Sequence, residues 1–179
     1  MRISGTSIGG VHLVEPEVHW DDRGEFWRSF CSDNLSAAGI DFRVVQSNVS
    51  LNRTRHTVRG FHYQRPPSRE QKILTVVSGA AHVVIVDVRQ GSDTRLEHQE
   101  FVFEVGDRRS LVVADGCATG FQTLTDDTIV HYQMADIYRP DSYTGFRYDD
   151  PTVGVAWPAE PAVISDRDLG LPFLDPDVR

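Results

Sequence analysis

The sequence predicts an all-β domain, a sandwich or closed barrel with a few short helices, on three observations. Helical periodicity is scarce along the chain. Short β-rich runs recur about 8–14 residues apart, with Gly or Asp at the joints. No repeat, low-complexity tract or linker-like stretch divides the 179 residues, so 1–179 reads as one domain able to bury a sizeable core.

Taken in order, the first element is a short helix over residues 33–39, where Ser32 or Asp33 can cap the start and Gly39 can stop it. Residues 58–64 read as a strand, with His62 and Gln64 on the face of Gly60 and Arg59, Phe61 and Tyr63 on the other. Strands follow over 73–77, closed by Ser78-Gly79, and over 82–88, closed by Gln90-Gly91. Residues 99–105 alternate Phe101, Phe103 and Val105 with polar neighbours less strictly. Gly106-Asp107 turns the chain into 110–114, Asp115-Gly116 into 119–125, and Asp126-Asp127 into 128–135. The tail from 143 to 179, rich in Pro and Asp, is expected to wrap the barrel with short helical turns.

Composition narrows the function. A net charge of −8 argues against a nucleic-acid partner, which needs a basic footprint, but not against a small anion facing a few arginines. No apolar run approaches the ~18 residues of a membrane helix. The opening MRISGTSIGG lacks the apolar core of a signal peptide, so a cytoplasmic protein without a membrane partner is expected. Cys31 and Cys117 are expected to be reduced thiols. The chain also carries seventeen arginines and one lysine, Lys72. Either that lysine survived a compositional bias, or a compact ammonium suited to a developing oxyanion is needed there.

Chemistry-bearing residues are densest in Gln46-Ser47-Asn48-Val49-Ser50, Val58-Arg59-Gly60-Phe61-His62-Tyr63-Gln64 and Gln71-Lys72. A histidine between aromatics is commonly structural. Its spacing to Lys72, however, lets an adjoining strand bring the ammonium beside the imidazole. Asp87 and Arg89 are expected to pair across a turn. Trp20, Trp27 and Trp157 are expected to be core or dimer-contact aromatics rather than ligand platforms.

These segments fall in order with Asp22-Arg23-Gly24-Glu25-Phe26, Val86-Asp87-Val88-Arg89-Gln90-Gly91-Ser92, Asp149-Asp150-Pro151, Trp157-Pro158 and Ser165-Asp166-Arg167-Asp168. Together, over about residues 10–172, they resemble the dTDP-4-dehydrorhamnose 3,5-epimerase family. The resemblance implies a cupin-type jelly-roll β-barrel, a homodimer with N-terminal strand exchange, and an isomerase of bacterial deoxysugar biosynthesis. It implies no metal and no organic cofactor. The substrate implied is a nucleotide-linked 4-keto-6-deoxyhexose, dTDP-linked, epimerised at C3, C5 or both. His62 then matches the general base, Asp168 the carboxylate that orients it, Tyr132 the proton donor across the ring, and Lys72 the cation for the enolate. Arg23, Arg59, Gln46 and Asn48 match nucleotide–sugar contacts, and Tyr138 a ring stacked on the base. Chemically the set is coherent. An α-hydrogen is acidic only if the enolate oxygen is stabilised, and inversion needs a base and an acid on opposite faces.

The chain departs from that pattern. Ala114-Asp115-Gly116-Cys117-Ala118-Thr119-Gly120-Phe121 places Thr119 where the family has a histidine, leaving a neutral hydroxyl donor. His131 cannot substitute, since in a regular strand it faces away from Tyr132. Arg28 and Tyr143 stand where glutamates are usual, which bears on the nucleotide, and Arg167 replaces a lysine while keeping the charge. These changes suggest a specialised member, acting on one carbon or on a modified sugar of secondary metabolism. Around His62 the chain reads His-Tyr-Gln, and Glu70 alone completes no metal site, so no metal is expected. Two other readings keep the same barrel: a relative that only binds a sugar nucleotide, and one that isomerises or cyclises another metabolite.

Overall fold

The computed structural model describes residues 1–175. In chain order the elements are β1 (Arg2–Gly5), β2 (His12–Glu15), β3 (Val18–Asp21), β4 (Gly24–Trp27), α1 (Ser32–Ala37), β5 (Gln46–Asn52), β6 (Val58–Gln64) and β7 (Lys72–Ser78). They continue with β8 (Ala81–Asp87), β9 (His98–Phe103), β10 (Ser110–Val113), β11 (Cys117–Thr123), β12 (Thr128–Met134), β13 (Tyr143–Gly145) and α2 (Asp166–Leu169). A six-stranded sheet, β1-β2-β10-β7-β12-β5, faces a five-stranded sheet, β13-β6-β11-β8-β9, and β3–β4 form a separate hairpin. Every strand pair is antiparallel, as the all-β, jelly-roll expectation requires. Among the described residues no helix is long and apolar enough to cross a membrane.

Alternation explains the layers. On β8, fully buried throughout, Val83 and Ile85 point between the sheets beside Leu74, Leu111, Phe121 and Val130. Val84 and Val86 point outward, where Phe61, Ala118, Phe146 and Val153 cover them. The second set includes residues of the tail, which accounts for a strand apolar on both faces. Trp157, partly buried, packs against Phe61 of the outer core with ring centroids 5.7 Å apart. Trp20, by contrast, is 72 % exposed on the hairpin.

Two local expectations are corrected. The first helix starts one residue earlier than expected, and its N-cap is Cys31 with no side-chain cap, not Ser32 or Asp33. Gly39, with φ of +78°, does end it. The strand at 99–105 ends at Phe103, because Gly106-Asp107 already belongs to a turn closed by Asp107 N donating to Glu104 O.

Asp87 anchors the β8 exit. Its carboxylate has no exposure and accepts from Arg89 Nε at 2.9 Å and Nη2 at 2.7 Å, Ser92 Oγ at 2.6 Å and Thr94 Oγ1 at 2.7 Å. Burial opposes its ionisation, but these bonds outweigh burial and hold the carboxyl well below the ordinary 3.8. A depressed carboxyl stabilises the fold above its unfolded value and loses that contribution as pH falls through the folded one. Asp87→Ala should therefore lower unfolding free energy by about 3 kcal/mol at pH 7 in urea titration. That deficit should shrink as the pH drops below the ordinary carboxylate range.

Candidate active site

The bulge in β6 sets the site. Thr119 of β11 pairs with His62, but Phe121 pairs with Arg59, so β6 carries one extra residue across that interval. Gly60 sits in the bulge with φ of +123°, and a Cβ there would lie 2.5 Å from Gly120 Cα, so only glycine fits. Strict alternation puts Arg59 opposite His62; the extra residue instead turns both into one cavity and leaves Phe61 in the outer core.

That cavity, about 360 Å³, lies between the sheets. From β5, β7 and β12 it receives Gln46, Asn48, Ser50, Lys72, Tyr132 and Met134; from β6 and β11 it receives Arg59, His62, Thr119 and Phe121. Glu70, Tyr138 and Tyr143 close its margin. His62 and Tyr132 thus stand on opposing walls. His131, the next residue, bonds Ser47 Oγ at 2.8 Å and lies outside the cavity, as alternation requires.

His62 Nε2 meets Asp168 Oδ1 at 2.8 Å, and Asp168 Oδ2 accepts from the Gly60 N–H at 3.3 Å. Burial works against ionisation of Asp168, yet the bonds from His62, Gly60 and Ser165 hold its carboxyl below the usual range. An ionised Asp168 keeps a proton on Nε2 and leaves Nδ1 as the basic nitrogen. Burial raises the Tyr132 phenol far above its ordinary value, against a smaller opposing bond with Ser50, so at neutral pH it holds its proton. Tyr143 is pushed up to about 12 by burial, with the Arg167 guanidinium 4.6 Å from its ring centre.

Lys72 reaches this group from the facing sheet and not from a strand adjoining β6. Its ammonium donates to the His62 carbonyl at 3.3 Å and pairs with Glu70 at 3.1 Å. Arg59 Nε donates to Asn52 Oδ1 at 2.7 Å, which fixes the guanidinium at the cavity edge. Gln46 donates to Asn48 Oδ1 at 3.2 Å and accepts the Tyr138 N–H at 3.1 Å. Tyr138 meets Tyr143 edge-on at 5.3 Å. Thr119 Oγ1 is buried and meets no protein partner. Two residues expected at the site lie elsewhere. Arg23 projects from the β3–β4 turn, paired with Asp21, and Arg28 lies beside Glu17, His19 and Asn34.

Ser50, Met134 and Glu70 belong to the cavity but were not expected as site residues. Ser50 was visible as the third member of the alternation Gln46, Asn48, Ser50, and Met134 stands two beyond Tyr132. Glu70 carried no such sign, because it lies in the loop before β7. Among the described residues no three His, Cys, Asp or Glu side chains converge as metal ligands.

Residues 5–176 match the family model described as dTDP-4-dehydrorhamnose 3,5-epimerase. A protein of that name from Methanothermobacter thermautotrophicus is 35% identical over 93% of this chain and 91% of its own. The crystal structure of the Bacillus anthracis enzyme of that name, with TDP and PPi bound, superposes with a TM-score of 0.93 at 34% identity, covering 97% of this chain and 99% of that one. ChmJ, a 3'-monoepimerase from Streptomyces bikiniensis in complex with dTDP-quinovose, gives a TM-score of 0.87 at 34% identity, over 94% of this chain and 85% of that one.

The lone Thr119 hydroxyl yields a test. Thr119→Val exchanges a buried hydroxyl without a protein partner for a methyl of the same shape. Unfolding free energy should stay level or rise by about 1 kcal/mol in urea titration. A loss of similar size would show the hydroxyl to be bonded within the fold.

Proposed function

This chain belongs to the dTDP-4-dehydrorhamnose 3,5-epimerase family, and on that premise we propose how its cavity carries out the family's chemistry. The protein is an isomerase, an epimerase of nucleotide-linked 4-keto-6-deoxyhexoses in deoxysugar biosynthesis. The substrate is dTDP-linked, and inversion takes place at C3, C5 or both, each next to the C4 ketone. The observation that carries this reading is the placing of His62 and Tyr132 on opposing walls of one cavity.

His62 Nδ1 takes the proton from the carbon beside the ketone, and the C–H electron pair moves into the enolate. The charge that develops on the C4 oxygen is met by the Lys72 ammonium, with Thr119 Oγ1 as a neutral second donor. Tyr132 then delivers its phenolic proton to the opposite face of that carbon, which inverts it. Solvent reprotonates the tyrosinate and removes the proton from His62. Asp168 holds the imidazole in the required tautomer throughout. Base, acid and cation all come from the chain.

Arg59 binds the diphosphate, its guanidinium set by Asn52, while Gln46 and Asn48 bind along the same wall. Tyr138, 46 % exposed at the rim, stacks on the nucleotide base, and Tyr143 and Arg167 close the sugar end. The active form is a cytoplasmic homodimer. Arg23 and Arg28, outside the cavity of their own chain, reach the nucleotide of the neighbour. The exposed Trp20 and Phe26 on the same hairpin support a contact there.

Proton NMR of dTDP-4-keto-6-deoxyglucose in deuterated water tests the reading. The protein should erase the C3 signal, or the C3 and C5 signals together. His62→Asn should slow that exchange by at least about 100-fold. No exchange with the unaltered protein would remove this substrate and favour a relative that only binds.

A further inference from the structure

Lys72 is the only lysine of the chain, and its side chain is 9 % exposed inside the cavity. Beyond the His62 carbonyl, its ionic partner is Glu70, whose side chain is 5 % exposed and whose Oε2 lies 3.1 Å from the ammonium. Glu70 is not free to wander. Its Oε1 accepts from Gln64 Nε2 at 2.8 Å, and Gln64 is pinned by donating to the Ile137 carbonyl at 3.1 Å and accepting the Arg139 N–H at 2.7 Å. A buried ammonium without a counter-charge is strongly destabilised, and a carboxylate in contact removes most of that penalty. The arrangement repeats the other half of the site, where buried Asp168 stands behind His62.

Building on the function proposed above, we infer that Glu70 is a positioning residue for the reaction, holding the Lys72 ammonium in place and aimed at the developing enolate oxygen. Glu70 itself touches no reacting atom in this scheme. It acts through Lys72, and Gln64 acts through Glu70. The pair also ties β7 to β6 across the mouth of the cavity, since the same ammonium donates to His62 O.

Glu70→Gln tests the inference, because it keeps the side-chain shape and removes only the charge. Two readouts apply. With one lysine, a 15N-labelled sample gives a single side-chain ammonium resonance, which reports on Lys72 without any substrate. That resonance should shift and exchange faster with solvent in Glu70→Gln, while backbone amide signals of β7 and β12 stay in place. In turnover, kcat should fall about tenfold or more with KM changed less than about twofold, the signature of an interaction used in the transition state. Should Glu70→Gln fail to fold, Glu70→Asp withdraws the same charge by one methylene and is read by the same resonance. An unaltered ammonium resonance overturns the inference whatever the activity. An altered resonance with undiminished kcat overturns it as well. Absence of turnover in the unaltered protein refutes the substrate, and the resonance still decides whether Glu70 governs Lys72.

Discussion

The 2.8 Å contact between His62 Nε2 and Asp168 Oδ1 ties α2, near the end of the described chain, to a strand 106 residues earlier. Around it the rest of the site is arranged. Asp168 also accepts the N–H of Gly60, so one carboxylate fixes the ring and the bulge that carries it. The bulge brings Arg59 and His62 into the same cavity, and the glycine at its centre lets β6 lie against Gly120. Tail residues over the outer face of β8 make this possible, because they keep the β6 side of the barrel packed up to where α2 delivers Asp168. The geometry of the cavity and the packing of the tail are therefore one structural problem.

Electrostatics inside the cavity follow a single rule. Each ionisable group that has to work in low dielectric is given a fixed partner. His62 has Asp168, Lys72 has Glu70, and Arg59 has the neutral amide oxygen of Asn52. Tyr132 is the reverse case, since burial favours its neutral, protonated form. Thr119 Oγ1, by contrast, is buried in the cavity with no protein partner.

Much of this could be read in the sequence, for definite reasons. The strands showed because Gly and Asp punctuate them, and β6 was bounded at 58–64 as observed. His62, Lys72 and Asp168 lie in the ordered motifs that carry the family resemblance, Tyr132 was reached only through that resemblance, and alternation turned His131 away from it. What stayed hidden depends on non-local pairing. An extra residue in β6 cannot be seen until β11 is laid beside it, so Arg59 was assigned to the wrong face. The approach of Lys72 from the opposite sheet needs the strand order, and the partnership with Glu70 needs the loop between β6 and β7. A short strand such as β13, only Tyr143–Gly145, forms because β6 offers an edge and not because its own residues demand it.

The central claim is that proton removal and proton return occur on opposite faces, by His62 and Tyr132. Tyr132→Phe incubated with substrate in deuterated water, with product configuration read by coupling constants, tests it most directly. The account predicts that deuterium still enters beside the ketone while the carbon keeps its original configuration, since His62 removes the proton, exchanges it with the deuterated solvent and returns a deuteron to the same face. Undiminished inversion in Tyr132→Phe would contradict it, and would mean that the proton arrives from another group.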